Sequence, residues 1–314
     1  MSYFVALDAG GTKTDAVLFD DTGHILHLDR SEGCNPLDIG AEAAQERLFK
    51  VISRVLKQAP GAVCAVYGGI AGTYYVGDRF NEFLRPKFEV SIRIDDDGCN
   101  LISGTLGHND GCGMVCGTGA ALFGRIGGKA GKDLIHIGGY GWMIYTGGSG
   151  FELGRDALRE TFRARDGLGE KTILTELFKR ELGRDAYACM PEFYEGGRAY
   201  IASFAHLVFE GRKAGDPICQ KIFETGAKNL AELTHAAQKH FPGEFPVVLG
   251  GGIFGAFPEY VEAVRSFASP RAKLISAEYP PVLGAAIEAL WDGGMEPAKG
   301  FRERFLADYV RLKG

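Results

Sequence analysis

Residues 3–19 read YFVALDAGGTKTDAVLF, two apolar runs, Tyr3–Leu7 and Ala16–Phe19, on either side of a glycine- and threonine-rich tip. Short β-forming runs bounded by such a turn predict a β-hairpin. Glycine has no Cβ, so the backbone N–H groups at Gly10 and Gly11 can come close to an anion, and Thr12, Lys13 and Thr14 add donors. Phosphate is the natural anion for such a tip. Asp8 closes the first strand, where one carboxylate is enough to hold the water shell of Mg2+. A tight hairpin turn with no ligand would have the same composition, so the stretch alone leaves both readings open.

The pattern recurs at residues 112–123, CGMVCGTGAALF, where Gly117, Thr118 and Gly119 separate two further apolar runs. The chain therefore reads as internally duplicated, and two such tips can clamp one polyphosphate. A third cluster, Gly250, Gly251 and Gly252, follows the β-rich run Val247–Leu249 and precedes Ile253 and Phe254, a setting in which a nucleoside can approach backbone at a strand end. Neither a Walker loop nor a dinucleotide fingerprint occurs. Residues 127–132 come near the first, but their glycine spacing is one short and Asp133 replaces the hydroxyl residue, so they read as a turn.

Between the two hairpins the chain alternates strand and helix. Residues 41–58 carry apolar side chains at helical spacing, and 63–67 and 90–94 read as strands. The second half is more helical, with helical spacing over 151–165, 171–182, 198–214 and 217–240. It returns to strands at 247–249 and 272–276 and then to a helix over 282–291. The expectation is an α/β protein of two domains, residues 1–116 and 117–296, with a last helix within 297–314 joined to the first domain.

Composition narrows the function. The chain has 314 residues, 46% of them hydrophobic, and no run approaches the roughly 20 apolar residues of a membrane-spanning helix. Lys and Arg number 35 against 40 Asp and Glu, with no basic cluster to track a phosphate backbone, so neither nucleic acid nor membrane is an expected partner. Residues 1–7 have no basic region and run straight into a glycine turn, unlike a secretory signal, which makes a cytoplasmic location the expectation. Seven cysteines without Cys-x-x-Cys spacing read as reduced, mostly buried thiols.

Asp95, Asp96 and Asp97 end the strand at 90–94 and lead into a helical run. A carboxylate there can take a proton from an attacking hydroxyl, or it can cap the helix. Asn35 precedes Pro36 in a loop, an ordinary turn signal.

In this order the motifs resemble the phosphate, second phosphate and adenosine motifs of the actin, Hsp70 and sugar-kinase superfamily. Within it the chain is similar to N-acetylglucosamine kinases and the BadF/BadG/BcrA/BcrD-type ATPases. The resemblance runs through Asp8–Thr14, Asn35, Ala71-Gly72, Asp97, Gly117–Ala120, Gly138–Gly141, Gly148–Gly150, Gly250–Gly252 and Pro280–Ala285, nearly the whole chain. It implies two RNase-H-like (actin-like ATPase) domains with a nucleotide cleft between them, the second more helical. It also implies ATP and Mg2+ as cofactors, a small-molecule sugar as acceptor, and a homodimer as an open option. Asp97, followed by Gly98, matches the family's catalytic base. Asp8 matches the Mg2+ carboxylate, acting through water, with Thr12 and Thr118 beside Mg·ATP. Gly10, Gly11, Thr12, Lys13, Thr14, Gly117, Thr118 and Gly119 match the phosphate contacts, and Gly250, Gly251, Gly252 and Phe254 the adenosine site. Asn35, Gly139, Tyr140 and Thr146 fall at the sugar side.

The chain departs from the family there. Tyr140 stands for a tryptophan, and Tyr145-Thr146-Gly147 stands where the family has Gly-Asp-Glu, so the acceptor carboxylates are absent while the phosphate motifs remain. The implied activity is phosphorylation of N-acetylglucosamine or a related amino sugar or hexose. Two rivals share the fold. One is the ATPase that activates 2-hydroxyacyl-CoA dehydratases, which needs cysteines for a shared iron–sulfur cluster. The other is a sensor that binds nucleotide and sugar without turnover.

Overall fold

The alternation of residues 3–19 is the basis of the first sheet in the computed structural model, which describes residues 1–128, 133–144 and 147–313. In chain order the elements are β1 (Tyr3–Ala9), β2 (Lys13–Asp20), β3 (Ile25–Glu32), α1 (Pro36–Ile39), α2 (Ala41–Leu56), β4 (Val63–Ile70), α3 (Thr73–Val76), α4 (Arg79–Leu84), β5 (Ser91–Asp95) and α5 (Gly98–Leu106). There follow β6 (Gly111–Cys116), β7 (Ala120–Ile126), β8 (Asp133–Gly138), α6 (Gly150–Arg165), α7 (Leu174–Leu182), α8 (Met190–Ser203), α9 (Ala205–Lys213) and α10 (Pro217–Ala237). The chain ends with β9 (Phe245–Gly250), α11 (Gly252–Ala256), α12 (Pro258–Phe267), β10 (Ala272–Ser276), α13 (Pro281–Asp292) and α14 (Phe301–Lys313). Two compact units result: Met1–Gly113 with Gly124–Leu134 and Ala277–Gly314, and Met114–Phe123 with Ile135–Ser276.

In the first unit the sheet order is β3-β2-β1-β4-β5. β1 pairs antiparallel with β2 and parallel with β4, which pairs parallel with β5. Both faces are buried, so successive residues of one strand feed opposite cores. Phe4, Ala6, Val17 and Phe19 pack with α13 and α14, while Val5, Leu7, Ala16 and Leu18 pack with α2. Phe19 alone meets Phe4, Phe301 and Phe305 at ring distances of 5.6, 5.9 and 5.6 Å, and each such buried side chain contributes roughly 1.5–3 kcal/mol of transfer free energy.

The sequence reading placed α13 in the second domain and α14 in the first. Both belong to the first unit. All ten residues Val282–Trp291 are buried, so α13 needs cover on every side, and β1, β4, α5 and α14 supply it. A polar anchor fixes α14: Asp15, 2% exposed, accepts from Tyr309 Oη at 2.7 Å and from Arg30 Nε at 3.0 Å.

The other sheet has the order β10-β9-β6-β7-β8, with β9 and β10 parallel, and the second unit holds helices α6 to α12. The helix expected over 198–214 is two, α8 and α9, divided at Phe204, whose ring packs on Phe178, Phe193 and Tyr200. Among the described residues no helix is long and apolar enough to cross a membrane.

Candidate functional site

Because β1, β4 and β5 run parallel, their carboxyl ends lie together at one edge of the first sheet, the edge where ligands bind in such sheets. Register places Asp8 beside Gly69 and Gly69 beside Asp95. The loops leaving that edge carry Gly10–Thr12, Ala71-Gly72 and Asp96-Asp97, so residues far apart in sequence converge there.

Burial pushes the Asp8 carboxyl up to about 7, aided by the charges of Asp97 and Asp15 and opposed by a hydrogen bond from Asn100 and by Lys13. Asp97 takes the N-cap position of α5 but makes no side-chain cap bond, so capping does not account for it. Burial first, and then the neighbouring Asp96 through its charge and a hydrogen bond, holds Asp97 well above the ordinary carboxylate range. Asp96 is 6% exposed and accepts the Tyr74 N–H at 3.2 Å, while its Oδ1 is buried without a partner. Two adjacent buried carboxyls do not both ionise readily, so the pair retains a proton into the pH range where an isolated carboxylate has lost it.

The first glycine tip differs in part from expectation. Gly10 donates its N–H to Lys13 O at 3.0 Å, and its carbonyl accepts from Cys34 N–H at 3.1 Å. Thr14 is fully buried in β2 and its hydroxyl donates to Glu32 O at 2.9 Å. These two donors are used by the fold, because the third strand lies against the tip. Gly11 and Thr12 are exposed, and Lys13 is exposed with its Nζ 3.4 Å from Asp15. Asn35 caps α1, its Oδ1 accepting the Leu37 N–H at 2.9 Å.

In the second unit, the Gly117–Gly119 tip is stapled to the start of α6. Gly150 N–H donates to Gly117 O at 2.8 Å and Phe151 N–H to Thr118 O at 3.1 Å, while Ser149 and Glu152 form a capping box. The tip's carbonyls therefore point into the helix start. Thr118 and Gly119 line a small cavity of about 40 Å³ with Gly139, Trp142, Glu152 and Arg198. Tyr140 is half-exposed and sets its ring edge against His136, whose imidazole burial pushes down to about 4 and so keeps neutral. Thr146 lies outside the described residues. Gly251, between β9 and α11, and Gly252, the first residue of α11, are exposed, and Gly250 is buried. Phe254 is 5% exposed and packs on Tyr260, so its side chain belongs to the core and not to an adenosine contact.

Sequence reading did not single out Asn100 or Arg198, neither of which has a local signature. The Ser149-x-x-Glu152 capping box was legible as a pattern. Among the described residues no group of three His, Cys, Asp or Glu side chains is arranged to hold a metal. Asp8 suits a different ion: Mg2+ that keeps most of its waters and arrives on phosphates needs one or two carboxylates. Six of the seven cysteines are buried and only Cys64 is exposed, so the thiols are not displayed as a set for a shared cluster.

The BadF/BadG/BcrA/BcrD ATPase family matches over residues 5–289. An N-acetyl-D-glucosamine kinase of Dictyostelium discoideum is 27% identical, with 91% of this chain and 97% of that protein covered. An N-acetylmuramic acid/N-acetylglucosamine kinase of Clostridium acetobutylicum is 24% identical over 92% of this chain and 98% of that one. In structure, a candidate N-acetylglucosamine kinase of Chromobacterium violaceum superimposes with a TM-score of 0.73 at 22% identity, covering 92% of this chain and 99% of the other. The fold is that of these sugar kinases.

Proposed function

For a chain that belongs to the BadF/BadG/BcrA/BcrD ATPase family, we propose an ATP- and Mg2+-dependent kinase that phosphorylates a hydroxyl of N-acetylglucosamine or a related amino sugar or hexose. The observation that carries the reading is the convergence of Asp8 and Asp97 at the carboxyl edge of the first sheet, beside the exposed Gly11-Thr12 tip. The kinase names of relatives that match along nearly their whole length support it.

Asp97 is the base. Its raised basicity suits a group that must take the acceptor hydroxyl's proton as that oxygen attacks the γ-phosphorus and the bond to the departing ADP breaks. Asp8 orients the hydrated metal, and Gly11, Thr12, Thr118 and Gly119 offer backbone and hydroxyl donors to phosphate oxygens. Mg·ATP, when bound, supplies the transferable group and neutralises its charge. Gly251 and Gly252 are the adenosine-side contacts, and Asn35, Gly139 and Tyr140 the sugar-side ones. With Thr146 and Gly147 in place of two carboxylates, the acceptor pocket loses hydrogen-bond acceptors for sugar hydroxyls. N-acetylglucosamine is then the first substrate to test but a poor one by family standards. Seven unpaired thiols agree with a cytoplasmic location.

ADP release with ATP, Mg2+ and a panel of hexoses, hexosamines and N-acylhexosamines tests the reading. Sugar-dependent release supports it, and none with any sugar in the panel refutes it. Preference for N-acetylglucosamine above all others would remove the retuned pocket alone.

A further inference from the structure

If Asp8 faces the metal of the nucleotide, something must set the direction of its carboxylate, and one side chain in the first unit is placed to do so. Asn100 lies in the first turn of α5 and is fully buried. Its Nδ2 donates to Asp8 Oδ1 at 2.8 Å, joining α5 to the end of β1. The amide rests on Gly69 of β4, the residue paired with Asp8 in the sheet. A Cβ on Gly69 would stand 2.3 Å from Asn100 Oδ1, 2.4 Å from Nδ2 and 2.5 Å from Cγ, so the amide fits only over a glycine. Asn100 Oδ1 is buried with no hydrogen-bond partner. Burying an amide with one end unsatisfied is unfavourable, and an apolar side chain of the same size would fill the space without that cost.

We propose that Asn100 is a positioning residue for the metal site: by holding Asp8 Oδ1 it fixes the carboxylate plane and leaves Oδ2 as the oxygen presented to a hydrated Mg2+. This rests on the kinase reading above. A free carboxylate rotates about its last bond, whereas one tethered at a single oxygen by a wedged amide does not. Outer partners of metal-binding groups typically govern affinity by about 10–100-fold. Asn100 touches neither the phosphates nor the acceptor in this account, and acts only through Asp8.

The test uses the full chain, ADP and Mn2+ as the probe, with free Mn2+ read by electron paramagnetic resonance so that no turnover is required. Asn100→Leu keeps the volume and removes the donor. It should weaken ADP-dependent Mn2+ binding by about 10–100-fold while the protein stays folded, and should raise the Mg2+ concentration needed for half-maximal activity by a similar factor. Asn100→Ser, too short to reach Asp8, should weaken Mn2+ in the same direction and serves if the leucine variant does not fold. A structural role alone would lower the melting temperature and leave Mn2+ affinity unchanged. Folded variants that bind Mn2+ as tightly as the wild type overturn the inference and leave the kinase reading standing. Wild-type protein that binds no Mn2+ with ADP overturns both.

Discussion

Replacing Asp8 by asparagine keeps the shape of the side chain and the bond from Asn100, and removes one titration. In the folded chain this carboxyl stands at about 7 against an ordinary 3.8, chiefly through burial. A carboxyl raised on folding makes its full contribution to stability while protonated, below the unfolded value. That contribution is lost as pH rises from the unfolded value through the folded one, because the unfolded chain ionises first. At about 1.36 kcal/mol per pH unit, the gap from 3.8 to about 7 corresponds to about 4 kcal/mol, an order-of-magnitude figure. Urea unfolding of wild type and Asp8→Asn, followed from about pH 4 to about pH 8, should therefore diverge. The wild type loses stability relative to the variant across that window, and the two curves run parallel above it. Parallel curves across the whole window would refute the assignment of a desolvated carboxyl to Asp8.

Asp97→Asn should lower kcat by about 10²–10⁴-fold with ATP affinity nearly unchanged, since an amide cannot take the proton; isothermal titration with ATP and steady-state kinetics check both halves. Asp96→Asn removes the like charge beside Asp97 and should move the acid limb of the kcat–pH profile to lower pH. An unmoved limb would separate Asp96 from the base. Gly33→Ala puts a Cβ 2.3 Å from the Gly11 carbonyl oxygen, main chain that cannot rotate aside. It should distort the first tip and weaken ATP binding at least about tenfold, the equivalent of about 1.4 kcal/mol; a folded variant with unaltered ATP affinity would take the tip out of the site.

Much of the protein was legible before any coordinates. Tyr3–Leu7 and Ala16–Phe19 form strands because apolar β-formers bounded by Gly and Thr have few other conformations open to them. The same argument found the second hairpin and the strand that ends in three aspartates. Asp8, Asp97 and the Gly11-Thr12 tip could be singled out as candidates because each is announced by its immediate neighbours. Other assignments needed the third dimension. Thr14 and Thr12 have the same chemistry, yet the third strand lies over one hydroxyl and not the other. Phe254 follows Gly250–Gly252 closely and still turns into the core against Tyr260. The helix Pro281–Asp292 follows the second unit in sequence and packs in the first, because a largely apolar helix goes where a sheet face and two helices can enclose it and where Arg93 and Arg125 pair its one buried charge, Glu288. Asn100 is one more polar residue in a helix until β1, β4 and α5 bring it to Asp8 across 92 positions. Local sterics and hydrophobic periodicity reach a few residues along the chain. The pairing of parallel strands, and the side chains that meet at their ends, depend on which distant segments share a core, and only the tertiary structure decides that.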